Sequence, residues 1–401
     1  MLLKNGRIRV GTKLEKKDIL IEGNKIIKIE DHIEGAGLNL ENKYVCPGLT
    51  DLHVHFREPG FEAKETIKTG SLSAAKGGYT TVFLMPNLKP VPDNIDALLK
   101  EIDIINRDAV IKCYPYASVS VREEGKEISD ILNLKNKTRY FSDDGKGLNN
   151  NEVLDKAIKL AKDNNLFIAS HAENYNYLPT DNRSEYEAVR NEIEIAKKYY
   201  ANYHFCHLST KESFELVKAA QDEGYKISCE VTPHHLFLND SDINNDPNYK
   251  MNPPLRSEED RKATLNALLS GVAKVISTDH APHETKNKDY KLATNGIIGL
   301  ETAAPLVYTN LVKTGLITFK EFEEYMSSNA LALAGLPKNE IKVGSIANLC
   351  VLDIDNSHTY KESEIKSKGH NSPFINKSMY GFNTLTIYEG KIVYEKQKGE
   401  I

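Results

Sequence analysis

Residues 44–56 read YVCPGLTDLHVHF, and residues 65–77 shortly after them read ETIKTGSLSAAKG. The first segment is an almost unbroken apolar run, the form taken by a strand buried on both faces of a parallel sheet. The second carries the period of an amphipathic helix. The same alternation then repeats. Apolar runs at Thr80–Met85, Ile111–Val119, Thr138–Ser142, Leu166–Ser170, His204–His207, Lys226–Val231 and Lys274–Ser277 read as further strands. Helical periodicity follows at Ile95–Asn106, Glu152–Asn164, Ser184–Tyr200, Lys211–Glu223 and Glu258–Leu269, and is weakest after the third run. Eight strand-then-helix units predict an α/β chain with a (β/α)8 TIM-type barrel over residues 50–339. A doubly wound open sheet is the rival, but it usually carries a glycine-rich phosphate loop after its first strand. Neither G-x-G-x-x-G nor a P-loop nor G-x-S-x-G occurs here.

The flanks differ from this middle. Short strands are predicted at Leu2–Asn5, Ile8–Val10, Ile19–Ile21 and Lys25–Ile29, and again at Ala347–Asp353, Thr384–Tyr388 and Lys391–Tyr394. Neither end is long enough to bury a core alone. A small, β-sandwich-like domain composed of residues 1–49 plus 340–401 is therefore expected.

Composition narrows the function. The 401 residues carry 52 basic and 57 acidic side chains, a net charge of −5, with no basic stripe interleaved with aromatics. Nucleic acid and anionic membrane are poor partners for such a surface. The opening MLLKNGRIRV has no apolar signal region, and no stretch approaches the roughly 18 apolar residues of a spanning helix. Five dispersed cysteines without C-x-x-C argue against a disulfide framework and against a thiolate zinc site. A cytoplasmic location is expected.

In a barrel of this kind the chemistry sits where strands end. Those ends hold Asp51, His53, His55 and Arg57; Asn87; Asp144; His171; His207; and Asp279 with His283. Alternation on a strand puts His53 and His55 on one side, with Asp51 and Arg57 joining them if the strand continues. Imidazoles and carboxylates converging on one mouth form a site for a hard-to-borderline metal ion. Each piece has an ordinary reading, since a lone histidine is usually a surface or satisfied core group and H-x-H occurs by chance. The independent arrival of His171, His207 and Asp279 at separate strand ends is what chance explains poorly. His204, His234, His235 and His280 are assigned to packing or to supporting roles, and Cys206 to the core on the face opposite His207.

These segments also carry a resemblance. DLHVHFREPG (51–60), KETI (64–67), GGYTT (77–81), MPN (85–87), SDDG (142–145), CHLSTKES (206–213), YKMNPPLR (249–256), TDHAPH (278–283), GLETA (299–303) and SKGHNSPF (367–374) together make the chain resemble the bacterial and archaeal class of dihydroorotases in the amidohydrolase superfamily. The resemblance covers essentially the whole chain. It implies that two zinc ions are bound, one by His53, His55 and Asp279 and the other by His171 and His207, with Asp144 bridging. Hydantoinases and allantoinases usually bridge with a carboxylated lysine, and Lys146, two residues from Asp144, is the minority alternative of that kind.

The implied reaction is the reversible cyclisation of N-carbamoyl-L-aspartate to L-dihydroorotate plus water, a step of pyrimidine (UMP) synthesis. Zinc lowers the pKa of bound water to about 7, and Asp279 is the expected catalytic proton shuttle. Arg57 is the natural partner of the substrate carboxylate, because a guanidinium matches a carboxylate bidentately; its ordinary reading is a surface salt bridge with Glu58. By the resemblance, His55, Asn87 and His283 complete the clamp, while Asn252, Asn295 and Gly296 read the ring's amide edges. Asn348 departs from the usual aspartate of an A-D-hydrophobic run, within the terminal sheet. Two rivals stand: a hydantoinase or allantoinase acting on another cyclic amide, and a metal-free scaffold partner of aspartate carbamoyltransferase. The resemblance also leaves room for a homodimer and for an active enzyme docked on that carbamoyltransferase.

Overall fold

The computed structural model describes residues 1–285 and 287–396, so the last five residues of the predicted terminal domain lie outside the described residues. The repeating strands are labelled here β1 (Leu49–Val54), β2 (Tyr79–Leu84), β3 (Lys112–Pro115, continued at Ala117–Ser118), β4 (Tyr140–Ser142), β5 (Phe167–Ser170), β6 (Tyr203–Phe205), β7 (Ile227–Val231) and β8 (Val275–Ile276). β1, β2 and the first part of β3 pair in parallel. The second part of β3 pairs with β4, and parallel pairing continues in order to β8. Beyond β8, His280 bridges in parallel to Val54 at the end of β1, and the His55 N–H donates to the His280 carbonyl at 2.9 Å. The pairings therefore run round a circuit, with all strand ends on one side.

The run 44–56, read as one strand, is two. Tyr44–Pro47 belongs to a different sheet, where it pairs with Leu2–Val10 and with Leu349–Asp353. The break falls at Gly48, where a Cβ would stand 2.3 Å from the Thr80 hydroxyl. Only a residue without a side chain lets the chain pass β2 this closely. Strands from both termini make up this second, eight-stranded sheet.

The helices follow local signals. Ile67–Gly77 opens at Thr66 with a reciprocal cap to Thr69, and Ile95–Asp108 opens at Asn94, whose side chain accepts the Ala97 N–H. After β3 stand only a 3-10 turn at Val121–Glu123 and the one-turn helix Ile131–Leu134, in the unit where periodicity is weakest. Below the strand ends, the space inside the circuit is filled by Leu52, Phe83, Tyr116, Tyr140, Cys206 and Val275. Ala330 and Ala334, from the helix Asn329–Leu333 and its C-cap, pack into the same cluster. One end of the circuit is thus apolar and closed, and the polar residues gather at the other.

Candidate active site

His53, His55, Asp144, His171, His207 and Asp279 come together at that polar end, each 6% exposed or less. The ligating atoms of His53, His55 and Asp279 lie within 4.8 Å of one another, as do those of His53, His171 and His207. His55 Nε2 is 3.0 Å and His53 Nε2 3.4 Å from the same oxygen of Asp279. Asp144 turns one oxygen to His171 Nε2 (2.7 Å) and His53 Nε2 (3.6 Å), and the other to His55 Nδ1 (3.6 Å). Lys146, the alternative bridge, is exposed.

Strand ends deliver these groups through unusual backbone. Arg57, His207 and Asp279 have φ of 59°, 31° and 48°, left-handed values that cost a non-glycine residue of order 1 kcal/mol or more and persist only where surroundings hold them. The continuation of β1 to Arg57 therefore fails, since the strand ends at Val54 and Arg57 is placed by a turn. The same departure corrects the placing of Cys206. It is core, but it does not face away from the site: its sulfur lies within 4.8 Å of ligating atoms of His53 and Glu230. Strand alternation ends at Phe205, so His207 and Cys206 both reach His53.

Electrostatically, the side chains of the cluster are anions among imidazoles. Burial alone would raise the carboxyl pKa values, but His55 and His171 hold Asp144 well below its ordinary value, and His53 and His55 hold Asp279 below its own. Burial, reinforced by neighbouring imidazoles, drives His207 well below its usual value. Burial and the nearby Arg57 cation lower His55 despite the opposing pull of Asp144. Burial opposes the charge on His53 too, yet Asp279 and its other acidic neighbours carry it well above. Imidazole nitrogens converging with carboxylates are the donor set of a metal site.

Arg57 is buried at 8% exposure, and its Nε has no hydrogen-bond partner among the described residues. The salt bridge to Glu58 is not formed; Glu58 instead accepts the Ile67 N–H at 2.9 Å, at the head of the first helix. Burial lowers the Arg57 pKa against the pull of Asp144, Asp279 and Glu65. Asn87 Oδ1 lies 3.0 Å from His55 Nδ1, and the Asn252 amide donates to Glu173 at 3.3 Å. His283 is half-buried, Gly296 is buried and the Asn295 side chain is exposed.

Several residues that hold this site were not singled out from the sequence. Glu230, on β7, is buried against His53, His204 and Ser277. Asp51, already read from the sequence as standing at a strand end beside His53, accepts the backbone N–H groups of His53 and Thr278 and so ties β1 to the segment after β8. Asp143 accepts from Val119 and Ser120. Glu185 takes the N–H groups and hydroxyls of Ser209 and Thr210, fixing the turn just past His207. A carboxylate beside a pair of hydroxyl residues is common everywhere, so only contact across the fold marks these. Of the histidines assigned to support, His204 meets Glu230, His235 lies between Thr232 and the Pro253 carbonyl, and His280 accepts the Gly299 N–H.

A protein-family model described as dihydro-orotase-like matches residues 42–200. The dihydroorotase of Fusobacterium nucleatum is 39% identical over 417 residues, and that of Bacillus licheniformis 40% over 421 residues; each alignment covers 98% of both chains. Among solved structures, the L-hydantoinase (dihydropyrimidinase) of Arthrobacter aurescens matches with a TM-score of 0.89 at 25% identity, covering 99% of this chain and 96% of that one. The dihydropyrimidinase of Brevibacillus agri matches with a TM-score of 0.87 at 21% identity, covering 98% and 95%, a likeness of fold alone.

Proposed function

The chain belongs to the dihydroorotase family, and on that footing we propose that it catalyses the reversible closure of N-carbamoyl-L-aspartate to L-dihydroorotate and water. The observation that carries this reading is Arg57, buried beside the carboxylate and imidazole cluster with a polar atom unpartnered. A buried donor left unmatched costs about 1–3 kcal/mol, more for a charged group. A substrate carboxylate removes that penalty, and dihydroorotate carries one where dihydrouracil and hydantoin do not. Arg57 is thus the feature that favours dihydroorotate over the neutral rings of the hydantoinase reading.

His53, His55 and Asp279 would hold one zinc ion and His171 with His207 a second, with Asp144 between them. The two directions in which the Asp144 oxygens point support its bridging role. Bound there, the ions supply Lewis acidity to the amide carbonyl and lower the pKa of water towards about 7. Asp279, ionised in this environment, takes a proton from the attacking water and passes it to the ring nitrogen as the C–N bond breaks. In the direction of closure, protonated Asp279 returns that proton to the departing oxygen. Asn87 keeps the His55 ring oriented through Nδ1. Arg57, with Asn87 and His283, clamps the carboxylate, and Asn252 with the backbone of Asn295 and Gly296 meets the amide edges.

The circuit of parallel pairs supports a (β/α)8 barrel over residues 50–339. The apolar cluster shared by Leu3, Ile19, Val45, Val351 and Ile387 supports a small sandwich-like domain built from residues 1–49 and 340–401. No helix among the described residues is long and apolar enough to cross a membrane. A cytoplasmic enzyme, a homodimer, and docking on aspartate carbamoyltransferase belong to the same reading.

Metal analysis and turnover on one preparation test it. About two zinc ions per chain with turnover of both carbamoyl aspartate and dihydroorotate is the expected result. Hydrolysis of hydantoin or dihydrouracil with dihydroorotate untouched would put the hydantoinase reading in its place. A chain with neither metal nor turnover would be the scaffold.

A further inference from the structure

Asn371 lies far along the chain from every residue of the site, in the segment that returns from the terminal sheet. Its side chain is buried at 4% exposure and bonds to two separate loops of the site. Nδ2 donates to the Ala281 carbonyl at 3.1 Å and to the Gly296 carbonyl at 2.9 Å, and Oδ1 accepts the His283 N–H at 3.1 Å. Its own carbonyl accepts the Ile298 N–H at 3.0 Å. Both amide hydrogens and the amide oxygen are thereby used, in an orientation that no other side chain of this size reproduces.

The two loops meet closely at this point. A Cβ on Gly296 would stand 2.8 Å from the Ala281 Cβ and 3.2 Å from His283 Nε2. The Gly296 N–H donates in turn to the Lys250 carbonyl at 3.0 Å, which ties in the segment carrying Asn252. One side chain therefore sets the spacing of the two loops that carry His283 and Gly296, and the Gly296 backbone extends the tie to the segment of Asn252. The segment bearing Asn371 is itself anchored, since Glu65 receives the Ser367 hydroxyl and the Lys368 N–H.

We propose that Asn371 is a positioning residue for substrate recognition: it fixes the registry of the His283 and Gly296 loops, and thereby the fit of the carboxylate-bearing ring, without touching substrate or metal. This rests on the dihydroorotase reading for the identity of the substrate, while the staple itself stands independently of it. A displacement of the order of 1 Å at a binding loop can cost roughly 10²-fold in rate. Here the loss falls on binding, because the groups displaced are those that hold the ring.

The test compares the metal-loaded wild type with Asn371→Ala, Asn371→Asp and, as control, Asn383→Ala. Asn383 is an equally buried asparagine that bonds to Ala75 and Lys76 carbonyls under the terminal sheet, away from the site. Asn371→Ala should raise KM for dihydroorotate at least about tenfold with a smaller change in kcat, metal content unchanged, and faster hydrogen exchange at the His283 and Ile298 amides. Asn371→Asp, the same size, should do no better, because its second oxygen would face two carbonyls. Asn383→Ala should lower thermal stability and leave KM alone. Wild-type KM and unchanged exchange in Asn371→Ala, or wild-type behaviour of Asn371→Asp, would overturn the proposal. Faster exchange at residue 283 in a protein whose wild type ignores dihydroorotate would instead overturn the substrate assignment and leave the staple standing.

Discussion

Glu230 Oε1 stands 3.0 Å from Nδ1 of His53, on the edge of the ring away from Asp144 and Asp279. Its other oxygen receives the Ser277 hydroxyl at 2.6 Å and faces His204 Nε2 at 3.2 Å. Burial resists a carboxylate here, but His204 and His53 hold Glu230 well below its ordinary pKa. A carboxylate on the far nitrogen fixes the tautomer that leaves Nε2 free to ligate. Glu230→Gln should weaken metal binding by roughly 10–100-fold, measured by competition with a chelator while circular dichroism reports an intact fold. Unchanged affinity would mean that packing alone orients His53.

Removing metal should abolish turnover and leave far-UV circular dichroism largely native. The proposed ligands sit above an apolar cluster of Leu52, Phe83, Tyr116, Tyr140 and Val275, whose packing uses none of them. Full activity in a sample verified as metal-free would rule out metal as the catalyst.

Asp279→Asn keeps the shape of the side chain and an oxygen for the metal but removes the base. A fall in kcat of at least about 10²-fold is expected, the lower range for a general acid–base group. Near wild-type rates recovered at any pH would assign proton transfer to another residue.

Arg57→Met should strip most of the kcat/KM for dihydroorotate and alter that for dihydrouracil far less, since only the charged substrate loses its partner. Sites built around a polar substrate group reject analogues lacking it by up to roughly 10⁴–10⁵. The unmodified enzyme is therefore expected to prefer dihydroorotate strongly; equal hydrolysis of the two would remove the carboxylate clamp.

Glu192 gives a stability test away from the ligands. Burial pushes its carboxyl up to about 7 from an ordinary 4.5, although Ser170 and Tyr203 hydroxyls oppose the shift. Between these values the folded chain holds a proton that the unfolded chain has released. Stability from this group is therefore complete below about pH 4.5 and is lost as pH rises through 7, at up to about 1.4 kcal/mol per pH unit. Denaturant titrations of wild type and Glu192→Gln should diverge over that window, the variant losing less. Parallel curves would place the Glu192 titration elsewhere.

Much of this was legible in residue order. Buried parallel strands are apolar on both faces, so they announce themselves as runs, and the site residues stand where those runs stop. His53, His55, Asp144, His171, His207 and Asp279, which the fold brings together, could be picked out because imidazoles and carboxylates are conspicuous at the end of an apolar strand. The run 44–56 misled because strand periodicity does not record which sheet a strand joins. The change of sheet at Gly48 depends on the approach of Thr80, thirty-two positions away.

What the residue order determined by itself is the alternation of strand and helix, the strand-end chemistry, and the signature from Asp51 to Gly60. These are local, and a pattern of side chains suffices to express them. Only the tertiary structure decided that Arg57 lies buried with an Nε unpartnered among the described residues, that Cys206 reaches His53, and that Glu230, Glu185 and Asn371 hold the site from segments remote in the chain. A buried polar group is defined by the partner that satisfies it. Such partners are brought together by the folding of distant segments, so no stretch of the chain read alone contains them.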